Sequence, residues 1–210
     1  MTRECERPAR AYTHDVPGVT SKDVDRELRR TLWPDLYAEG FTRRTGRTAW
    51  QDRDDQVNVV QISSFNSYNA GVLGVSTVSF QVGLGVLPRC RTTEHTPSRN
   101  GLLLPRDAHC EFRCGLRRRL RQPAGGNPTI WPIAIDGADI EVTVDDAREV
   151  LMSDGLSWFE SLDGLGRMLW TAENVENGNT DQTWGMGRLG SPHRIALLTD
   201  LHRAVFDRDS

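Results

Sequence analysis

Lysine is all but missing from this chain. Of its 26 basic residues only Lys22 is a lysine; the rest are arginines. We read that bias as the codon usage of a GC-rich genome rather than as chemistry. Long apolar runs are missing as well. No window approaches 18 consecutive apolar residues, which excludes a membrane-spanning helix. Cysteine is scarce, with Cys5, Cys90, Cys110 and Cys114 in 210 residues. That number does not make a disulfide framework, so free thiols are expected. Residues 1–20 lack the apolar core of a signal peptide, so the expected location is cytoplasmic. An excess of positive charge is lacking too. The net charge is −3, which argues against a generally basic nucleic-acid binder. What is present is enough apolar material for a core, 37% of the chain against 26% charged. Full disorder is thereby excluded.

The periodicities predict an α+β domain over residues 20–170. A flexible segment, 1–19, precedes it, and a Gly/Asn-rich loop with a terminal helix, 171–210, follows. Val24, Leu28, Leu32 and Leu36 recur every four residues and mark a helix of about five turns, kinked at Pro34 and stopped at Gly40. Phe41–Arg44 and Arg47–Gln51 read as a small hairpin. Val57–Ile62 reads as a central strand. Val78, Phe80, Val82, Leu84 and Val86 alternate with small or polar residues, the clearest strand in the chain. Residues 63–71 read as a Ser/Asn-rich loop, and 88–108 as a long polar connection. Cys110–Leu116 alternates as a fourth main strand. Ile133–Ile135 and Ile140–Val142 read as extended pieces about a tight turn. Thr143 with Asp146 resembles a capping box for a helix ending near Gly155. Helical segments follow, and Ile195–Val205 forms the last helix. The order of helix, strands and helices favours a mainly antiparallel sheet of four to six strands.

The motifs carry little chemistry. Gly185-Met-Gly187-Arg-Leu-Gly190 matches a dinucleotide fingerprint as a string, but neither a strand before it nor room for a βαβ unit after it is apparent. A glycine-rich loop is the simpler reading. His109, Cys110 and Cys114 suggest zinc only until spacing is considered. Four residues along a strand span about 13 Å, too far for two sulfurs to share one ion. No metal and no cofactor is expected. Residues 89–121 hold nine arginines against Glu94, Asp107 and Glu111, a local charge of +6 in an otherwise acidic chain. Arg117, Arg118, Arg119 and Arg121 are the candidate polyanion contacts there. A solvated strand edge protected by charge explains the same residues. Asp54 with Asp55 and Asp145 with Asp146 have adequate roles in a turn and a first helical turn.

The ordered segments Leu32-Trp-Pro-Asp-Leu-Tyr-Ala-Glu-Gly-Phe41, Arg44-Thr-Gly-Arg47 with Trp50, Val57-Asn-Val-Val-Gln61 and Ser79-Phe-Gln-Val-Gly-Leu-Gly85 resemble the bacterial domain-of-unknown-function family 4304 (DUF4304). His109-Cys110, Arg113 and the helical part with Trp158-Phe159 extend the resemblance over roughly residues 20–170. Gln81 departs from the Asn of many members. The resemblance implies an α+β domain and no established activity.

Three functions follow as expectations. The first is a non-catalytic binding or protein-interaction domain, with a protein partner (an immunity-type role is one form) or a second copy through a sheet edge. Its candidate ligand residues are Arg47, Trp50, Gln61, Ser63, Phe65, Asn66, His109 and Arg113, polar and aromatic groups near strand ends. The second is polyanion or nucleic-acid binding through the arginine cluster. The third is a hydrolase without a local signature, which requires His109 or His193 beside a hydroxyl, thiol or carboxylate in a pocket.

Overall fold

Thr20 opens the first helix by donating its backbone N–H and its hydroxyl to the Asp23 carboxylate, at 2.9 and 2.7 Å. The computed structural model describes residues 18–120, 126–175 and 185–207. The expected flexible segment 1–19 therefore lies almost wholly outside the described residues. The long N-terminal helix is in fact two, α1 (Ser21–Arg30) and α2 (Leu32–Ala38), parted at Thr31. The expected kink at Pro34 moves upstream for a steric reason. A proline ring collides with the carbonyl four residues back, here Arg30, and α1 ends on that residue. Pro34 itself sits in the first turn of α2, where its missing N–H costs nothing. Val24, Leu28, Leu32 and Leu36 are all buried, each contributing about 2 kcal/mol.

Five strands follow in antiparallel register: β1 (Arg43–Thr45), β2 (Thr48–Asp52), β3 (Gln56–Ser64), β4 (Phe80–Pro88) and, at the far edge, β7 (Phe112–Gly115). Residues 63–71 are not all loop. Asn66 accepts from the Asn69 N–H and caps α3 (Ser67–Leu73), which Gly74 ends in the left-handed conformation. Within the long connection after β4, two-residue strands β5 (Ser98–Arg99) and β6 (Leu102–Leu103) pair with each other. A 3₁₀ turn, Asp107–His109, then leads into β7.

Ile140–Val142 is not extended. It is the first turn of α4 (Ile140–Val150), which starts three residues before the expected Thr143. Gly137, at φ +72°, turns the chain, and Asp139 accepts from the Ala134 N–H just ahead of the helix. Asp146 consequently serves no cap. Nor does the helix stop at Gly155. It widens into a π-helical turn over Leu151–Gly155 and continues as α5 (Leu156–Ser161). A Cβ on Gly155 would come within 2.7 Å of Leu151 and 3.5 Å of Leu84 and Leu116, so a glycine lets this wide turn press on the sheet. Two further helices follow among the described residues, α6 (Leu165–Asn174) and α7 (Pro192–Phe206).

The architecture is α+β, with helices on one face of an antiparallel sheet. Val60, Ile62, Val82, Leu84, Val86, Phe112 and Cys114 form the inner face and pack in one core with residues of α1, α2 and α4–α7. Trp50, Val57, Val59, Leu87 and Cys110 make a second, smaller core on the outer face. Cys110 and Cys114 thus bury their thiols in different cores.

One row of the inner face is polar. The Gln51 amide donates to the Glu39 carbonyl and accepts from Asn58; Asn58 accepts from Gln56; Gln56 accepts from the Gly164 N–H. The three side-chain amides are almost fully buried, and this relay supplies the partners that burial demands.

Candidate functional site

The register puts Trp50, Gln61, Ser63 and Arg113 on the outer face of the sheet. The chain lies over the middle of that face. Gly83 and Gly85 present no side chain there, and the Asp107–His109 turn occupies the space. A Cβ on Gly85 would come within 2.6 Å of the Cys110 sulfur and 3.1 Å of the Asp107 Cα. Most of the expected ligand residues make contacts within the fold. Trp50 is buried and donates its indole N–H to the Pro105 carbonyl at 2.7 Å. Gln61 donates to Ser63 Oγ at 3.1 Å and accepts from the Asp107 N–H at 3.4 Å. Arg47 ties the hairpin to α1 through Asp25 at 2.6 Å and the Ser21 carbonyl at 3.1 Å, and to the end of β3 through the Ser64 hydroxyl. Phe65 is half-buried and Asn66 is spent as a helix cap. His109 is exposed, with Nδ1 accepting from the Arg106 N–H at 2.9 Å. Arg113 lies beneath Gly185, where a Cβ would come within 2.7 Å of its Nε.

The arginine cluster is also largely engaged. Arg118 donates to the carbonyls of Leu120 and Asn127, and burial pulls its pKa below the usual value. Arg119 holds Ser153 and Asp154 at 2.7 Å. Arg117 is exposed. Arg121 lies outside the described residues.

A charged network the sequence did not announce ties α7 to the start of β7. Glu111 accepts from Arg91 at 2.9 Å and faces His193 Nε2 at 2.8 Å; Arg91 also holds Asp200 at 2.5 Å. A histidine beside a carboxylate is half of what a hydrolase needs. Here the carboxylate is already committed to an arginine. The nearby hydroxyl, Ser191, caps α7 by accepting from the Arg194 N–H. Gly185, Gly187 and Gly190 all take positive φ and lead the chain into that cap. Arg194 is fully buried and donates to the carbonyls of Ala172 and Val175 at 2.6 and 2.5 Å, binding α7 to the end of α6. The network is best understood as a clasp for the last helix. Among the described residues no group of three or more His, Cys, Asp or Glu side chains is placed to hold a metal ion.

Among the described residues, one open concavity is a groove of about 520 Å³ between α1, α2 and β1. Trp33, Pro34 and Tyr37 form one wall, Phe41 and Ala49 the floor, and Arg29 and Arg44 stand at the rim. The Arg44 guanidinium lies 5.3 Å from the Trp33 ring centroid, a cation–π contact that holds it in place. Tyr37 is 65% exposed although it follows the buried Leu36. The sequence signal was the pair of aromatics, Trp33 and Tyr37, flanking the helical stripe. Comparison with family models, with curated proteins and with solved structures finds no match.

Proposed function

We propose that this chain is a non-catalytic binding or protein-interaction domain that takes its partner in the α1–α2–β1 groove. The chemistry of the groove wall carries the reading. It offers aromatic surface and two guanidinium groups, with no carboxylate, imidazole or thiol. Arginine remains protonated at any working pH, so it binds anions and does not abstract protons. The groove's volume falls in the range of ordinary ligand sites. Groups that serve acid–base chemistry elsewhere, Glu111 and His193, are clasped with Arg91 away from it. The resemblance to DUF4304 belongs to the same reading, since it implies a domain and no activity. Free Cys90, Cys110 and Cys114 fit a reducing, cytoplasmic setting. An immunity-type role is one specific form this function could take.

A photo-crosslinking residue at Tyr37, introduced in the cells that make the protein, tests the reading. The expected result is a discrete adduct with one protein, lost when Arg44→Glu is added. No adduct at Tyr37, or a hydrolytic activity abolished by His193→Ala, would overturn it.

A further inference from the structure

Resting on that binding reading, we infer that the groove's occupant is an acidic, extended segment of a partner protein. It lies beside β1, sets carboxylates against Arg29 and Arg44, and places an apolar side chain against Tyr37.

Charge makes the first argument. The chain is acidic overall, at −3, and many of its arginines are paired with its own acids. Arg26, Arg30, Arg43, Arg47, Arg53, Arg89, Arg91, Arg119, Arg148 and Arg203 each stand within ion-pair distance of a carboxylate. Like Arg99, Arg106, Arg167 and Arg188 elsewhere on the surface, Arg29 and Arg44 are exposed and have no carboxylate partner among the described residues. They line the same groove. An incoming carboxylate gains two cations without displacing a resident acid, and Arg44 is already oriented by Trp33.

Topology makes the second argument. β1 is an edge strand, paired on one side only by β2. An extended chain laid along such an edge gains main-chain hydrogen bonds, while pockets beside it read alternate side chains. Arg44 and Ala49 are register partners and both line the groove, so a segment following β1 passes over the aromatic wall. Of the two rings in the wall, Trp33 is closed to a stacking base. Bases need an open ring face for stacking. Trp33 is 8% exposed, and Arg44 already covers it.

The test is selection of a displayed random dodecapeptide library on the full chain, in parallel with Arg29→Glu/Arg44→Glu. Both side chains are exposed, and a matching thermal melt shows that the variant folds. The expected wild-type binders are enriched in Asp and Glu with an apolar residue among them. Synthetic copies bind the double variant about tenfold or more weakly, and the variant selects Lys- and Arg-rich peptides instead. Binders without acidic enrichment, no binders, or identical selections by the two proteins overturn the inference. So does variant-sensitive binding of a uridine decanucleotide, which transfers the site to nucleic acid. Self-association abolished by the same substitutions also overturns it, making the occupant a second copy. If Tyr37 crosslinks to a partner through a peptide that is not acidic, this inference fails and the binding reading stands. Absence of any Tyr37 adduct removes the binding reading itself.

Discussion

The indole N–H of Trp131 donates to the carboxylate of Asp146 at 2.8 Å, inside the core. The same carboxylate accepts the backbone N–H groups of Arg119 and Leu120 at 3.2 and 3.0 Å. One side chain of α4 thereby holds the segment leaving β7 and the segment that pairs Trp131 with Phe80. Asp146→Asn turns an amide NH₂ toward N–H donors, and the expected cost is about 2–3 kcal/mol in urea unfolding. A double-mutant cycle with Trp131→Phe should show a coupling of about 1.5 kcal/mol or more. Additive effects would mean that the indole contact contributes nothing of its own.

The glycines of the sheet should differ in tolerance according to what lies above them. Gly85→Ala drives a methyl into Cys110 and the backbone of Asp107; the expected loss is about 3 kcal/mol, at the high end for overpacking. Gly83→Ala meets the Asp107 side chain first, which can move, and should cost less. Gly115 has nothing within 4 Å of its Cβ position, so Gly115→Ala should be nearly neutral. Equal effects at the three positions in chemical denaturation would contradict the placement of the Asp107–His109 turn.

Acid should weaken the start of α1. Hydrogen bonds from Thr20, with Arg26 as a smaller contributor, hold the Asp23 pKa below its ordinary 3.8. A carboxyl lowered in the folded state stabilises above the unfolded pKa and stops doing so as pH falls through the folded one. The stability difference between wild type and Asp23→Asn should therefore be constant from neutral pH down to about pH 4 and shrink below it. A difference that grows on acidification would reverse the sign.

Alkali should act through a thiol. Burial pushes Cys114 from 9.0 up to about 12. Folding keeps this group neutral, so its contribution is whole below pH 9.0 and declines as pH rises toward 12. Cys114→Ala should lose stability at neutral pH and show a flatter alkaline limb. In native protein at pH 8, iodoacetamide should modify neither Cys114 nor Cys110, whose pKa burial also raises well above the ordinary value. Mass spectrometry of the digested protein reads both sites, with unfolded chain as the positive control.

How far the sequence was legible depends on which residues a pattern couples. β4 was plain because its alternation spans the whole strand. Pro34 marked the break in the N-terminal helix, one turn late, because its clash is with Arg30. Ile140–Val142 misled because three residues alternate equally well as a strand or as the first turn of a helix. α3 gave no stripe because it buries only Ala70 and leaves Tyr68 and Val72 exposed. The eight proposed ligand residues were chosen as polar and aromatic groups near strand ends. Polarity does not say whether a neighbour within the fold has already taken the hydrogen bond. The groove and the Glu111–His193 clasp join distant segments, which no local period encodes. One sign of buried chemistry was in view, Asn58 set among Val57, Val59 and Val60.

That asparagine belongs to a relay with a beginning and an end. A backbone donor, the Gly164 N–H, fixes which atom of Gln56 must be oxygen, and a backbone acceptor, the Glu39 carbonyl, fixes which atom of Gln51 must be nitrogen. No single amide between them can rotate by half a turn without setting like against like on both sides. The three therefore have one joint orientation, and the segment after α2 is linked through the sheet to the loop before α6 by groups whose order is set from both ends.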